Sequence, residues 1–371
     1  MRELILKSEL HRFATGKEFA EEFQIGENDL ILTNEYIYNP IWGDLGLRAH
    51  VMFQEKYGTG EPTDVMIDAM LKDADKAGGK RIIAIGGGTI IDIAKVMAVS
   101  GNQSVDDLYD NMPNLSKKRE LVIVPTTCGT GSEVTNISIV NRLRLGTKMG
   151  LVSDNMFADC AVLIPELLES LPYGVFATSS IDALVHAVES SLSPKATPYS
   201  KLFGYRAIEM IIRGYQAVAG KGKDNLKPLL EDFLIASNYA GIAFGTAGCA
   251  AVHAMSYPFG GTYHVPHGES NYALFTGVLK NYMEIKRDGE IAVLNAFLSE
   301  LLDCSESSVY EELDGLLNRI LPKKALREYG VTHEDLDEFS EVVITKQTRL
   351  MSNNFVPLDK ERVRKIYGEL Y

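Results

Sequence analysis

The sequence predicts an open parallel α/β domain followed by an all-helical domain, and three observations carry that prediction. Short β-rich runs alternate with amphipathic stretches as far as Leu171. Helical periodicity then takes over and persists to the C-terminal region. Pro172 and Gly174 lie between the two patterns and suit a boundary. At 371 residues the chain can bury two cores, and the domains are placed at 1–176 and 177–371.

In the first half, Asp29–Thr33 reads as a buried strand and His50–Gln54 as a second candidate. Thr63–Ala77 sets Val65, Met66, Met70, Leu71 and Ala74 at helical spacing, and Gly78-Gly79 stops that helix. Arg81–Ile85 is a strand that runs into Gly86-Gly87-Gly88-Thr89, where Thr89 would cap a helix over Ile90–Val99. Leu121–Val124 is a strand that ends in a loop rich in hydroxyls and glycines, Thr126 to Ser132. Ala161–Ile164 is the last clear strand, stopped by Pro165. Strands alternating with helices imply a parallel sheet. In the second half, helices are expected over Ala177–Leu192, Pro198–Ala217, Asn225–Phe244, Ala247–Tyr257, His267–Glu284, Arg287–Leu302, Ser307–Ile320 and Leu336–Leu350. Pro258 and Gly260-Gly261 are expected to break the fourth of these.

Composition excludes several classes. A net charge of −13 argues against nucleic-acid binding, which needs clustered Lys and Arg. A small anionic substrate stays admissible, because it needs only a local cationic spot. The four cysteines show no C-x-x-C spacing, so a reducing, cytoplasmic setting is expected rather than a disulfide framework. Met1–Lys7 has no signal-peptide core, and no apolar run is long enough to span a membrane.

The chemistry concentrates in two clusters. Asp182 and His186 are four apart in a helical stretch, so they share a face. His253 and His267 flank a Pro- and Gly-rich turn that can bring them together. One carboxylate and three imidazoles suit a divalent transition metal. A lone Asp-x-x-x-His is more often a solvated pair or a satisfied core histidine. Here four of the seven histidines (His186, His253, His264, His267) fall in these clusters, which favours the metal. The Gly86-Gly87-Gly88-Thr89 turn suits phosphate, since glycines admit a close backbone and a helix N-terminus favours an anion. A triple glycine is also often only a tight turn, and the Thr126–Ser132 loop could simply cap a helix. Two such loops at the ends of parallel strands favour a nucleotide. The active site would then lie in the cleft between the domains.

These pieces resemble the iron-containing, or group III, alcohol dehydrogenase family, whose fold is shared with dehydroquinate synthase. The matches run in the family's order through nearly the whole chain: Gly86-Gly87-Gly88-Thr89 with Asp92 and Lys95; Pro125-Thr126-Thr127 with Gly129-Thr130-Gly131-Ser132-Glu133; Asp182 through His186 to Glu189; His253-Ala254-Met255 through Pro258; and Pro266-His267-Gly268. Within the family the chain is most similar to the 4-hydroxybutyrate dehydrogenases. The resemblance implies an N-terminal domain that binds NAD, with NADP left open, and a C-terminal domain that binds metal. It implies Asp182, His186, His253 and His267 as ligands of Fe²⁺, a set that would also accept Zn²⁺. It carries the pyrophosphate loop onto Gly86, Gly87, Gly88 and Thr89, the second cofactor loop onto Thr126, Thr127 and Thr130, and a cofactor-side lysine onto Lys148. Asn34 stands near where NAD-preferring members place an aspartate after the first strand. Tyr257 stands where members commonly have a second histidine for proton relay, and His264 could take over, so Tyr257, His264 and His267 are the catalytic candidates.

The implied reaction is reversible hydride transfer between 4-hydroxybutyrate and succinate semialdehyde, with a homodimer or larger assembly. The alternatives are another small alcohol or diol on the same fold, or a metal-dependent lyase or hydrolase. A lyase acting on an anionic sugar-like substrate would need basic residues near the site, and Ser179–Ser191 and Ala250–Asn271 contain no Lys or Arg. A hydrolase would leave the two glycine-hydroxyl loops without a purpose.

Overall fold

The computed structural model describes residues 3–371, the side chain of Asp224 excepted. It divides into two compact units, Leu6–Leu171 and Pro172–Tyr371, the second joined by the N-terminal residues up to Ile5. The division falls between Leu171 and Pro172, against the boundary at 176/177 read from sequence, because Pro172 is the N-cap of a helix that opens at Tyr173.

The first unit contains β1 (Glu9–Arg12), α1 (Gly16–Glu22), β2 (Asp29–Thr33), α2 (Glu35–Trp42), β3 (His50–Phe53), α3 (Asp64–Ala77), β4 (Arg81–Gly86), α4 (Gly88–Ser100), α5 (Val105–Asp110), β5 (Glu120–Pro125), β6 (Ile137–Arg142), β7 (Thr147–Val152) and β8 (Cys160–Leu163). Six strands form an all-parallel sheet in the order β1-β8-β5-β4-β2-β3. Its central strands are covered on both faces, so they read as continuous apolar runs: Leu30-Ile31-Leu32, Ile82-Ile83-Ala84-Ile85 and Leu121-Val122-Ile123-Val124, all fully buried. The expected open parallel sheet is present. The sequence reading did not include β1, whose Glu9, His11 and Arg12 disguise an edge strand, nor the antiparallel β6-β7 hairpin.

Sheet order marks where a crevice lies. From β2 the chain moves outward to β3, and from β4 it moves the opposite way to β5. Adjacent strands whose connections diverge leave a crevice at their C-terminal ends. Asn34 follows β2 and Gly87-Gly88 follow β4, so both stand at that crevice.

The second unit is helical throughout its described residues. It contains α6 (Tyr173–Leu192), α7 (Pro198–Lys221), α8 (Leu230–Ala247), α9 (Ala251–Tyr263), α10 (His267–Ile285), α11 (Glu290–Leu302), α12 (Val309–Ile320), α13 (His333–Lys346), α14 (Thr348–Met351) and α15 (Lys360–Leu370). α6 packs against α7, α8 and α10, while α9 packs against α10, α13 and α14. The expected helix over Ala247–Tyr257 is corrected. Gly248, at φ 78°, ends α8, and α9 starts afresh at Ala251, so His253 lies in the first turn of a helix rather than in the middle of one. Pro258 and Gly260-Gly261 do not break α9, which runs on to Tyr263. An internal proline costs about 3 kcal/mol; burial of Met255 and Phe259 on either side offsets it. The expected helix over Leu336–Leu350 is two helices divided at Gln347, and α15 adds a final helix.

No single helix among the described residues is long and apolar enough to cross a membrane. α8, with the short turn before it, and α9 meet that test only as a pair bent by 105°.

Candidate active site

α6 presents Asp182, His186 and Glu189 at positions i, i+4 and i+7, one helical face. The first turn of α9 contributes His253, and the first residue of α10 contributes His267. One donor atom from each of Asp182, His186, His253 and His267 lies within 4.8 Å of the others. His253 Nε2 is 3.6 Å and His267 Nε2 3.7 Å from Asp182 Oδ1, and His186 Nδ1 is 3.9 Å from Asp182 Oδ2. The His186 and His253 rings stack at 4.6 Å. Asp182, His186 and His253 are buried, whereas the His267 side chain is 40% exposed, so solvent reaches the cluster at His267. A catalytic metal needs such an open position.

Two further side chains hold these donors. His253 Nδ1 lies 2.6 Å from Glu189 Oε2, a carboxylate that can take a proton on Nδ1, and Nε2 is the ring nitrogen turned towards Asp182. Glu189 also accepts the backbone N–H of Ala250 at 3.1 Å and of Val252 at 2.6 Å, replacing the side-chain cap that α9 lacks. Asn271, one turn after His267 on α10, donates through Nδ2 to Asp182 Oδ1 at 2.7 Å. The same Nδ2 stands 3.2 Å from His253 Nε2 and 3.3 Å from His267 Nε2. Carboxylate and imidazole lone pairs thus converge on one positively polarised group, while Asn271 Oδ1 is buried without a partner. A divalent cation suits that donor set: one anionic oxygen, three nitrogens and no thiolate.

The electrostatics agree. Burial opposes ionisation of Asp182, but the His186, His267 and His253 imidazoles hold its carboxyl far below the usual carboxylate range. Burial would lower His253, yet Cys249, Asp182 and Glu189 raise it well above an ordinary imidazole. The Cys249 thiol is itself pushed up by burial, so the carboxylates carry that effect at neutral pH.

Tyr257 lies one turn beyond His253, with its ring 5.9 Å from that of His267. Burial raises its phenol above the ordinary value, so it stays protonated at neutral pH. His264 is exposed and forms the left-handed C-cap of α9 at φ 53°; it is not among the clustered donors. Tyr263 is engaged elsewhere, donating to Asp335 Oδ2 at 2.5 Å.

In the other unit, the two glycine-hydroxyl loops meet. Thr126 N–H donates to Gly86 O at 3.1 Å. A Cβ at Gly87 would touch Thr127 Cγ2 at 3.4 Å, and one at Gly88 would press on Thr130 Cγ2 at 3.0 Å. Thr89 does not cap α4; Gly87 is the N-cap, without a side-chain bond, and Thr89 Oγ1 donates instead to Gly60 O at 3.1 Å. The helix starts at Gly88, two residues earlier than expected, and a Cβ at Gly86 would come within 2.5 Å of Ile90 Cγ1. Asn34 Nδ2 donates to Gln54 Oε1 at 3.0 Å, and Lys148 on β7 pairs with Glu61 at 2.7 Å. Asp92 and Lys95 act structurally. Buried Lys95 Nζ donates to Ser132 Oγ, Thr135 Oγ1 and Ile137 O, while Asp92 accepts from Ser132 Oγ and Ile139 N–H. They tie α4 to the second loop.

Sequence reasoning gave no role to Glu189 or Asn271. The signal existed: each lies one turn from a histidine of the cluster, on the same helix.

Fold and site together define an oxidoreductase that joins a dinucleotide-type sheet to a helical metal centre. Residues 14–165 match the family described as iron-containing alcohol dehydrogenase, and residues 176–371 match the C-terminal part of the Fe-containing alcohol dehydrogenase family. The chain belongs to that family and is a metal-dependent, NAD(P)-linked oxidoreductase. It is 47% identical over 371 residues, the whole length of both chains, to the 4-hydroxybutyrate dehydrogenase of Clostridium kluyveri. It is 35% identical over 353 residues to long-chain-alcohol dehydrogenase 1 of Geobacillus thermodenitrificans, covering 89% of this chain and 87% of that one. The crystal structure of sulfoacetaldehyde reductase from Bifidobacterium kashiwanohense in complex with NAD⁺ shares the fold, with a TM-score of 0.85 and 22% identity over 100% of this chain and 98% of that one.

Proposed function

We propose that the protein catalyses reversible hydride transfer between 4-hydroxybutyrate and succinate semialdehyde, using NAD as the preferred carrier. The observation that carries this reading is the convergence of Asp182, His186, His253 and His267 in a chain 47% identical, end to end, to a 4-hydroxybutyrate dehydrogenase. Bound at those four residues, Fe²⁺ or Zn²⁺ would supply Lewis-acid assistance to the substrate hydroxyl or carbonyl, and the nicotinamide would supply the hydride acceptor or donor.

The chain's own residues do the rest. Asp182 provides the anionic donor, kept ionised by its three imidazoles. Glu189 fixes the His253 tautomer, and Asn271 holds the Asp182 carboxylate in orientation. Tyr257, protonated and with its ring 5.9 Å from that of His267, would pass a proton through its hydroxyl. Gly86–Gly88 let a pyrophosphate approach the α4 N-terminus, with Thr126, Thr127 and Thr130 in the adjoining loop. Asn34, at the end of β2, bears no charge that would repel a 2′-phosphate, so discrimination against NADP would be modest. The four free cysteines support a reducing, cytoplasmic setting. Assembly as a homodimer or larger is part of the same reading and is tested by light scattering.

A second reading, oxidation of uncharged primary alcohols, is favoured by the 35% identity to a long-chain-alcohol dehydrogenase. Anaerobic assays of metal-reconstituted protein with 4-hydroxybutyrate, 1-butanol and 1,4-butanediol separate the two. A strong preference for the hydroxy acid supports the first reading. Turnover of neutral alcohols alone supports the second and contradicts the first.

A further inference from the structure

We propose that Glu9, His11 and Cys160 form a second divalent-metal site, suited to zinc, that clips the edge strand β1 to β8. The site lies in the α/β unit and shares no residue with the Asp182, His186, His253 and His267 group of the helical unit.

Strand geometry brings the three side chains together. Glu9 and His11 are two apart on β1, so they project from the same face of the sheet. β1 pairs with β8 in parallel, and Glu9 stands opposite Cys160 in that register. Neighbouring strands lie about 4.7–4.9 Å apart, which is within reach of one ion for side chains that share a face. One carboxylate oxygen, one imidazole nitrogen and one thiol sulfur accordingly lie within 4.8 Å of one another, the same limit that encloses the four donors of the helical unit.

The donors are held before any ion arrives. β8 is flanked by β1 and β5, so Cys160, its first residue, sits on a paired strand rather than on a loop. The His11 ring meets Phe23, the C-cap of α1, edge-on at 5.3 Å and lies parallel to Phe13 at 6.5 Å. His11 Nε2 is 3.4 Å from Glu9 Oε2. Two donors on one tetrahedral zinc, at bonds of about 2.0–2.3 Å, are separated by about 3.3–3.6 Å.

The chemistry selects the ion. Sulfur and imidazole favour zinc over magnesium or calcium, which take oxygen donors. Three protein ligands leave a fourth position for water, which has access because Glu9 is exposed and His11 and Cys160 are half-buried. The local charge suits a dication. Burial, then Glu9, Glu120 and Asp159, push the Cys160 thiol up to about 11, against the opposing charge of Arg81. The Arg81 guanidinium is itself committed to Asp29, at 2.7 and 2.9 Å. As the ion binds, the Cys160 S–H bond is replaced by a sulfur–metal bond and the proton leaves to solvent. Displacing that proton, with only three donors, makes this site weaker than the four-donor centre, so it fills second. Its effect is to fasten a four-residue edge strand that has a neighbour on one side only.

The test is Co²⁺ titration of the metal-free full chain in wild type, Cys160→Ser, His11→Ala and His253→Ala. The helical centre has no sulfur among its four donors, so sulfur-to-cobalt charge-transfer absorption reports the second site. In wild type that band should grow after the first equivalent of Co²⁺ and saturate with one further ion per chain. It should persist in His253→Ala and be lost in Cys160→Ser and His11→Ala. Zn²⁺ should abolish the band by displacement and slow alkylation of Cys160 by iodoacetamide. Cys160→Ser and His11→Ala should keep wild-type thermal midpoints in the absence of metal, which shows that they are folded, and wild-type dehydrogenase activity once the helical centre is loaded. A band unchanged in Cys160→Ser belongs to another cysteine and overturns the site. A band unchanged in His11→Ala overturns it too, as does the absence of any band from wild type at saturating Co²⁺.

Discussion

Glu189 Oε2 lies 2.6 Å from His253 Nδ1, and the same carboxylate caps the helix on which His253 sits. One buried acid therefore sets both the position of the helix and the tautomer of the imidazole. Partners of this kind typically contribute 10- to 100-fold in metal affinity. Glu189→Ala should weaken Zn²⁺ binding by about that factor, whereas Glu189→Gln, which keeps an acceptor for Nδ1–H, should lose less. Chelator competition measures both. Equal affinities in all three proteins would deny Glu189 a positioning role.

Asn271 poses a related question at the other end of the site. Its Nδ2 is the 2.7 Å donor to Asp182 Oδ1. Asn271→Leu leaves that buried carboxylate oxygen without its donor, and a loss of roughly 1–3 kcal/mol in folding stability is expected. Bound Zn²⁺ should restore much of that loss, because the cation satisfies the same oxygen. Urea denaturation with and without metal reads this. A variant as stable as wild type in both conditions would contradict it.

The glycine turn separates packing from ligand approach. A Cβ at Gly86 would come within 2.5 Å of Ile90 Cγ1, and one at Gly87 would make ordinary contact with Thr127 at 3.4 Å. Gly86→Ala should therefore destabilise the fold by about 1–3 kcal/mol. Gly87→Ala should leave the thermal midpoint unchanged while weakening NADH binding by about tenfold, if the backbone there meets the pyrophosphate. Fluorescence titration and calorimetry give the two quantities. Undiminished NADH affinity in Gly87→Ala would remove the cofactor assignment from this turn.

Lys95 gives a pH dependence with a defined sign. Burial lowers its ammonium to about 8 from 10.5, despite the opposing charges of Asp92 and Glu133. Between those values the unfolded chain binds more protons than the folded one, so stability rises as pH rises. The gain across the window is on the order of 3 kcal/mol. The stability of wild type minus that of Lys95→Met should increase from pH 8 towards pH 10.5. Parallel curves, or a difference that falls with pH, would contradict the buried, charged lysine.

Tyr257 should matter as a proton donor rather than as a titrating base, since burial keeps its phenol protonated. Tyr257→Phe is expected to slow turnover at every pH without moving the limbs of the pH profile. Unchanged rates across pH would exclude the hydroxyl from proton transfer.

Much of this architecture was legible in the sequence because it rests on local pattern. The runs Ile82–Ile85 and Leu121–Val124 announce doubly covered strands. The Asp182–His186 spacing announces a shared helical face. What escaped the sequence depends on tertiary contact. β1 is a charged edge strand stabilised by pairing with β8. α9 runs through Pro258 because packing of its buried face outweighs the proline. Glu189 and Asn271 acquire their roles only when three helices meet. Thr89 looked like a cap, but Gly87 takes the cap position and α4 starts at Gly88, two residues earlier than expected.

The most direct measurement is the metal affinity and stoichiometry of the whole chain, compared with Asp182→Ala, His186→Ala, His253→Ala and His267→Ala. One Fe²⁺ or Zn²⁺ per wild-type chain, with dehydrogenase activity tracking occupancy and every variant losing both, is the predicted result. Full metal content in the four variants, or wild-type activity after complete metal removal, would contradict a metal centre built from these four donors.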